Sequence, residues 1–362
     1  MDMSSLGELV RQPGPFASVY LDASHDTEDA AKAMELRWRA ARAELARQGA
    51  DEATLDAVEA AALAPVVGKS GRAMIAAHGR LLLDRVLPRP PATETVRWSD
   101  LPHVLPLATW MEPDVPHVVA LVDRAGADLH GYDGQGERTT AEVHGDEHPL
   151  HKVGGGGYSH RRIQKGVEEA TRRNAAQIAE EVDRMVTAVN ARLLVLGGEV
   201  RARADVRSEL SVRCRDVLVE VEHATLAEGA DDTAFDHAVQ SLVAQYQFDL
   251  DNDVVEEFTA QAGRPDGLAV QGLEPVVAAL REAKVSALVV SDPVLGDRTV
   301  WSGDDPAQVA LRENDLRTLG VEHVGEHRAD EALGTAAAAT GARVVVADVA
   351  GLREGVGALL RY

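Results

Sequence analysis

The residues best suited to chemistry form one short segment, K-V-G-G-G-G-Y-S at 152–159, followed by His160, Arg161 and Arg162. Consecutive glycines have no Cβ atoms to hold them against a core and lose much entropy on ordering, so they predict a mobile loop that a partner fixes. Helical periodicity follows directly, and cations at a helix start are unfavourable because the unpaired N–H groups there are already positive. A bound phosphate would resolve this conflict, so the segment predicts contact with an anion.

The helix predicted after this segment is amphipathic. Its apolar side is predicted to carry Ile163, Val167, Ala170, Ile178, Val182, Met185 and Val189. The opposite side carries the cations Arg161, Arg162, Lys165, Arg172 and Arg173. Residues 151–173 contain six Lys or Arg against two Glu, a local excess of +4 in a chain whose net charge is -22. Because so acidic a chain rejects bulk nucleic acid, any RNA contact is expected to be confined to this patch.

A second set of cations follows, at Arg201, Arg203, Arg207, Arg213 and Arg215. Two interpretations stay open for it. The set either extends the basic patch or consists of ordinary solvated charges around a strand.

Composition indicates a globular protein of the cytoplasm. A length of 362 residues predicts two or three domains, and 45% hydrophobic with 27% charged residues is typical of soluble chains. The sequence has no run long and apolar enough for a membrane span, and residues 1–15 lack a secretory apolar region. The single cysteine, Cys214, excludes an internal disulfide and fits a reducing compartment.

Prolines between positions 88 and 116 and the segment G-R-P-D-G at 263–267 mark two boundaries, which predict domains at 1–112, 113–264 and 265–362. Helical and strand-like patterns alternate along all three, so the predicted class is α/β. The first domain is predicted to contain a strand at 17–22, helices at 27–48 and 51–63, and a hairpin at 73–87. The middle domain is predicted to contain strands at 118–123, 128–132, 193–196 and 217–221, a polar loop before the glycine-rich loop 153–158, and helices at 235–246 and 254–260. The last domain is predicted to alternate helices at 273–282 and 331–340 with strands at 287–290 and 344–347.

The segment K-V-G-G-G-G-Y-S-H-R-R and its helix resemble the middle domain of the archaeal and eukaryotic class-1 peptide-chain release factors, where the pattern runs K-H-G-R-G-G-Q-S. The C-terminal G-V-G-A-L-L-R-Y at 355–362, preceded by T-G-A-R-V-V-V at 340–346, resembles the end of the same family and of Pelota. The chain is therefore identified as a member of this superfamily, in the bacterial branch that includes the ribosome hibernation factor Balon. The resemblance covers the middle and last thirds. It implies a ribonuclease-H-like middle domain and an L7Ae-like C-terminal domain.

One departure from the family pattern bears on activity. In release factors the glutamine after the two glycines helps to order the water that cleaves peptidyl-tRNA, whereas here Gly156-Gly157 is followed by Tyr158. A phenol cannot copy the amide contact and is better suited to stacking on a base. The chain is therefore expected to lack hydrolytic activity. It is also expected to use no cofactor.

The resemblance implies a ribosome-binding factor that occupies the vacant A site of the 70S ribosome during hibernation or stress. Its expected partners are the rRNA of the A site and peptidyl-transferase centre and a translational GTPase, with elongation factor Tu as the expected GTPase. The predicted rRNA-binding residues are Lys152, Gly154, Gly155, Gly156, Gly157, Tyr158, Ser159, His160, Arg161, Arg162, Lys165 and Arg172. Two alternatives stay open, namely a rescue or release enzyme acting on peptidyl-tRNA and an interaction protein unrelated to ribosomes.

Four other patterns contain residue types that could do chemistry. The loop from His144 to His151 offers metal-ligand types at a spacing that fits no known motif. Gly68-Lys69-Ser70 resembles the end of a P-loop, but Leu63 occupies the position of its first glycine. Asp123, Asp128 and Asp133 do not establish two-metal nuclease geometry. Cys214 is interpreted as a buried strand cysteine rather than an activated thiol.

Overall fold

A computed structural model describes residues 6–25, 29–66, 68–110, 115–124, 126–134, 137–144, 158–222, 233–291 and 294–362, without side chains for 109, 110, 158–168, 233 and 294. Helices and strands alternate along the chain, so the predicted α/β class is confirmed. Internal contacts divide the chain into two compact units. We call residues 1–112 with 251–362 the composite unit, and residues 113–250 the middle unit. The three-domain division and the two implied domain identities stay predictions.

The N-terminal part of the composite unit is a four-stranded antiparallel sheet in the order β3-β2-β1-β4, accompanied by helices. Its elements are α1 (Gly7–Val10), β1 (Phe16–Asp22), α2 (Ala30–Gln48), α3 (Glu52–Ala62), β2 (Gly71–Ala77), β3 (Arg80–Leu87), β4 (Thr95–Ser99) and α4 (Leu107–Trp110). The predicted strand, helices and hairpin are confirmed. His78 and Gly79 take φ of 50° and 71° in the hairpin turn, as two-residue turns between twisted strands require. Strand β4 was not predicted, because it lies within the proline-rich stretch.

The middle unit contains a five-stranded sheet in the order β7-β6-β5-β8-β9. Its elements are β5 (His117–Val122), β6 (Gly126–Tyr132), β7 (Arg138–His144), α5 (Tyr158–Ala188), β8 (Leu193–Gly198), α6 (Val200–Glu209), α7 (Val212–Asp216), β9 (Leu218–Glu220) and α8 (Thr233–Ala262), which ends in the composite unit. Strands β5, β8 and β9 are parallel, and β6 and β7 are antiparallel to their neighbours. Alternate residues of β5 enter different cores, because Val118 packs with α5, α6 and α7 whereas Val119 packs with Phe235 of α8.

Two predictions for the middle unit are wrong. Residues 138–144 were predicted as a polar loop but form β7, where only Ala141 and Val143 pack against the core. An edge strand with so few apolar residues carries a weak sequence signal. Helices predicted at 235–246 and 254–260 are one helix, α8, because the acidic stretch between them contains neither glycine nor proline to end it.

The C-terminal part of the composite unit contains a sheet in the order β10-β16-β11-β15 and a three-stranded sheet in the order β13-β12-β14. Its elements are β10 (Ala269–Gln271), α9 (Leu273–Arg281), β11 (Val285–Val290), β12 (Thr299–Ser302), β13 (Val309–Ala310), α10 (Glu313–Thr318), β14 (Gly325–Arg328), α11 (Ala329–Thr340), β15 (Arg343–Val346) and β16 (Val356–Leu360). The elements predicted at 273–282, 287–290, 331–340 and 344–347 are confirmed, as α9, β11, α11 and β15. None of the helices in the described ranges is long and apolar enough to cross a membrane.

The two parts of the composite unit share one hydrophobic core. Leu105 and Leu107, which follow β4, pack in the same cluster as Leu333 and Ala336 of α11. Helix α11 approaches closely at Gly334, where a Cβ atom would lie 3.2 Å from the Leu105 nitrogen. The chain ends are thus joined by apolar packing over positions far apart in sequence.

Candidate nucleic-acid interface

The predicted rRNA-binding residues lie only partly within the described chain. Lys152 and Gly154 to Gly157 lie outside the described residues. Tyr158 and Ser159 are the first residues of α5, which begins two positions earlier than the predicted opening at His160. The backbone of His160, Arg161, Arg162 and Lys165 is helical, as predicted, and Arg172 is described in full.

Helix α5 is held by its apolar side against the middle sheet. Ala170, Ile178, Val182, Met185 and Val189 are all buried, which confirms the predicted apolar side wherever side chains are described. The helix packs closely on β6, because a Cβ atom at Gly131 would lie 2.9 Å from Met185 Cγ. A face fixed in this way leaves the opposite side of α5 to solvent.

The described cations on that opposite side are exposed, as predicted. The side chain of Arg172 is 81% exposed, and its Nε lies 3.2 Å from Glu209 Oε1. Arg173 Nε donates to the Glu169 carbonyl oxygen at 3.3 Å. An ion pair this exposed contributes little to stability, so Arg172 can exchange its partner at small cost.

The second set of arginines does not act as one surface. Arg203 is buried and pairs with Glu220 at 3.1 Å, and Arg207 pairs with the same carboxylate at 3.0 Å. Arg213 donates to Asn190 Oδ1 at 3.1 Å, near the other end of α5. Arg201, exposed at the start of α6, has neither an ion pair nor a hydrogen-bonded partner for its side chain in the described ranges, and it is the member of the set that lies near Arg172. The set surrounds helices α6 and α7 rather than a strand.

Arg201 and Arg172 line a cleft of about 550 Å³ in the middle unit. The cleft is lined by Arg124, Thr171, Arg172, Ala175, Arg201, Asp205, Ser208 and Glu209. Its residues come from α5, α6 and the turn that follows β5. Sequence reasoning did not find Arg124 as a member, since no local pattern links it to α5.

The other sequence patterns give no site where the structure describes them. Asp123 Oδ1 and Asp133 Oδ1 accept hydrogen bonds from turn nitrogens, of Gly126 at 2.7 Å and Glu137 at 2.9 Å. These two turns lie at opposite ends of β6, so the aspartates do not converge on a metal. Residues 145–151 of the histidine loop lie outside the described residues. Ser70 of the Gly-Lys-Ser segment is buried beside Ser24.

Cys214 is buried in helix α7, not in a strand as predicted. Burial and the nearby Asp183 raise the pKa of its thiol to about 12. A thiol with so high a pKa carries almost no thiolate at neutral pH. The interpretation of Cys214 as unreactive therefore agrees with its surroundings.

A buried polar cluster in the composite unit was missed by sequence reasoning. His103, Asp330 and Glu331 present ligand atoms within 4.8 Å of one another. Arg97 Nη1 lies 3.1 Å from His103 Nδ1, 3.1 Å from Asp330 Oδ2 and 3.2 Å from Glu331 Oε1. The guanidinium thus occupies the position from which a metal ion would contact all three, so the residues fit an internal ion-pair network better than a metal site.

Comparison with known proteins gives relatives over the whole chain. Residues 116–264 match the model of the bacterial archaeo-eukaryotic release factor family 2. Two uncharacterized Mycobacterium tuberculosis proteins, Rv2629 of strain H37Rv and MT2704 of strain CDC 1551, are each 38% identical over 98% of this chain and 95% of their own length. The archaeal translation termination factor aRF1 is similar at 16% identity and a TM-score of 0.29, over 100% of this chain and 99% of that chain. Pelota of Archaeoglobus fulgidus is similar at 14% identity and a TM-score of 0.36, over 81% of this chain and 79% of that chain.

Proposed function

Because residues 116–264 match the model of the bacterial archaeo-eukaryotic release factor family 2, we propose that the chain, a member of the superfamily of release factors and Pelota, is a ribosome-binding translation factor. It occupies the vacant A site of the 70S ribosome, protects idle or stressed ribosomes and does not hydrolyse peptidyl-tRNA. The observation that carries the proposal is helix α5, which follows the glycine run in the sequence, is fixed by a buried apolar side and carries the exposed cations Arg172 and Arg173 on its opposite side.

The charge distribution supports a confined contact with rRNA. The whole chain has a net charge of -22, so it repels RNA over most of its surface, whereas residues 151–173 have an excess of +4. Phosphate contacts dominate the affinity of proteins for nucleic acid. The basic half of α5 therefore orients the factor and brings the glycine run and Tyr158 towards RNA.

The identity of residue 158 supports a factor without hydrolytic activity. The phenol of Tyr158 stacks on a base and holds no water in the manner of the release-factor glutamine. The C-terminal third faces a translational GTPase, with elongation factor Tu as the proposed partner. Both assignments follow from the family resemblance.

Co-sedimentation with 70S ribosomes tests the binding. The wild-type chain is expected to sediment with 70S particles at low salt, and changing Arg161, Arg162 and Lys165 together to Glu is expected to weaken binding on the order of 100-fold, because phosphate contacts become repulsive. The matched control changes Arg192, Arg213 and Arg215 to Glu. These residues are exposed in the same unit, and the control alters net charge equally.

Equal loss of binding in both triple variants would show that net charge, not the start of α5, controls the association. Failure of the wild-type chain to sediment with 70S particles at low salt would contradict the proposed function itself.

A peptide-release assay tests the absence of catalysis. Ribosomes carrying peptidyl-tRNA with an empty A site are expected to retain their peptide when the chain is added, because Tyr158 supplies no amide to order the attacking water. Rapid release that disappears in Tyr158→Ala would instead identify a rescue enzyme. The Tyr158→Phe variant serves as control, since it keeps the stacking ring and removes only the hydroxyl.

A further inference from the structure

The cleft between α5 and α6 lies at the carboxyl ends of the parallel strands β5 and β8, an edge where α/β sheets commonly bind ligands. Helix α6 presents one side to it, because Arg201, Asp205, Ser208 and Glu209 recur at helical spacing and all line the cleft. The other side of α6 enters the core through Ala202 and Val206. The cleft is therefore bounded by elements that cannot rotate without losing core contacts.

Backbone geometry fixes the end of the cleft. Gly198 ends β8 at a φ of +116°, and a Cβ atom there would lie 1.9 Å from the Val122 carbonyl oxygen, so only glycine allows this approach. The same carbonyl accepts a hydrogen bond from the Glu199 nitrogen at 3.0 Å. Asn174, buried on α5, donates to the Arg124 carbonyl oxygen at 3.2 Å. Arg124 and Glu199 are thus positioned by contacts that do not depend on their charges.

The charges facing the cleft are held loosely. Arg124 Nε lies 3.0 Å from Glu199 Oε1, and Arg172 pairs with Glu209. Arg201 has no ion pair with any residue that the structure describes. Exposed ion pairs contribute little to stability, so an incoming anion can displace Glu199 and Glu209 at small cost. Three guanidinium groups are then available to one phosphate-bearing ligand.

The carboxylates in the cleft narrow the choice of ligand. Asp205 and Glu209 would repel a simple anion, but they can accept hydrogen bonds from a ligand that also carries hydroxyl groups. A nucleotide of RNA combines both properties, since its phosphate suits Arg201 and its 2′-hydroxyl suits a carboxylate. A volume of about 550 Å³ lies within the usual range of ligand sites.

We propose that this cleft binds one nucleotide of an RNA strand, with the phosphate on Arg201 and Arg172 and the ribose hydroxyl on Asp205. The choice of RNA over other phosphate ligands rests on the proposed function. The cleft would be a second RNA contact on α5, separate from the glycine run and reading ribose rather than base.

Fluorescence anisotropy with a short labelled single-stranded RNA, and with DNA of the same sequence, tests the cleft without ribosomes. Arg201→Glu is expected to weaken RNA binding about tenfold, because one phosphate contact is lost. For the same reason the decrease of log affinity with log salt concentration is expected to become less steep, by about 0.7. Glu209→Gln is expected to strengthen binding several-fold, since it frees Arg172. Asp205→Asn is expected to lower the ratio of RNA affinity to DNA affinity, because it removes the charged acceptor for the 2′-hydroxyl, whereas the repulsion of the phosphates falls equally for both strands.

The matched control is Arg192→Glu, an exposed arginine of the same unit outside the cleft. Equal weakening by Arg192→Glu and Arg201→Glu would overturn the cleft assignment. Weaker RNA binding by a Glu209→Gln chain that unfolds in urea at the same midpoint as the wild-type chain would overturn it as well. Competition by AMP at concentrations matching the RNA affinity would indicate a free-nucleotide site and overturn the RNA assignment.

The sedimentation assay separates this inference from the proposed function. A wild-type chain that binds RNA through Arg201 but never sediments with 70S ribosomes would refute the ribosomal role and leave the cleft assignment standing. A chain that sediments with ribosomes while Arg201→Glu leaves RNA affinity unchanged would refute the cleft alone.

Discussion

Replacing Arg97 with leucine is expected to lower the free energy of unfolding of the composite unit by about 3 kcal/mol, because it leaves buried carboxylate charge without its partner. The side chain of Glu331 is 3% exposed, and Arg97 is its ion-pair partner at 3.2 Å. Asp330 keeps a second partner, Arg328, at 3.2 Å. The loss of stability is therefore caused mainly by the unpaired charge of Glu331.

Urea unfolding followed by tryptophan fluorescence measures this change selectively. All four tryptophans, at positions 38, 98, 110 and 301, belong to the composite unit. Arg47→Leu is the control, since Arg47 forms an exposed helical pair with Glu44, and its loss is expected to leave the free energy of unfolding nearly unchanged.

A second variant separates the ion pair from simple packing. Arg97→Leu combined with Glu331→Met removes both charges, and replacing a buried pair by apolar groups is often close to neutral. The double variant is therefore expected to recover most of the lost stability. If Arg97→Leu were no more destabilising than Arg47→Leu, or if the double variant were the less stable of the two Arg97 variants, the assignment of unpaired charge as the cause would be wrong.

Local patterns in the sequence predicted the features that depend on residues close together in the chain. The apolar spacing of α5 identified its buried side, and the short polar turn at His78-Gly79 identified a hairpin. The patterns failed for edge strand β7, which has few apolar residues. They also failed for α8, where two separate helices were predicted although no glycine or proline separates them. The strand prediction for Cys214 is wrong, because the Ser211 side chain accepts from the Cys214 nitrogen and caps a short helix there.

The sites that depend on tertiary contacts could not be predicted from local patterns. Arg97 and Glu331 are 234 positions apart, and Arg124 and Glu199 are 75 positions apart, so no sequence window contains either pair. The α5 cations were predicted because they lie on one helix. The cleft beside them needed α6 to be packed against α5, and only the fold provides that placement.

Acidification is expected to weaken the composite unit from the ordinary histidine range downwards, because His103 is buried in its neutral form. Burial lowers the pKa of His103 from 6.5 to about 3, and the positive charge of Arg97 acts in the same direction. Its Nδ1 accepts from Arg97, since a guanidinium only donates. The unfolded chain therefore binds more protons than the folded one between these two pH values.

The sign and size of the effect follow from this difference in proton binding. The free energy of unfolding falls as pH drops from about 6.5 towards 3, by up to about 1.4 kcal/mol per pH unit. Burial raises the pKa of Glu331, which opposes the trend because the folded state then takes up a proton more readily. Burial alone would also raise the pKa of Asp330, but the hydrogen bond from Arg328 and the nearby cations hold it below its ordinary value, so Asp330 adds a further loss only at lower pH.

His103→Asn isolates the histidine, because asparagine keeps an acceptor for Arg97 and does not titrate. Urea unfolding across this pH range, read by tryptophan fluorescence, is expected to show a shallower loss of stability in His103→Asn than in the wild-type chain. Burial also lowers the pKa of His327, so His327→Asn measures that share separately. If the free energy of unfolding of His103→Asn fell with decreasing pH as steeply as that of the wild-type chain, His103 would not control the pH dependence. Proton uptake at other groups would then destabilise the composite unit.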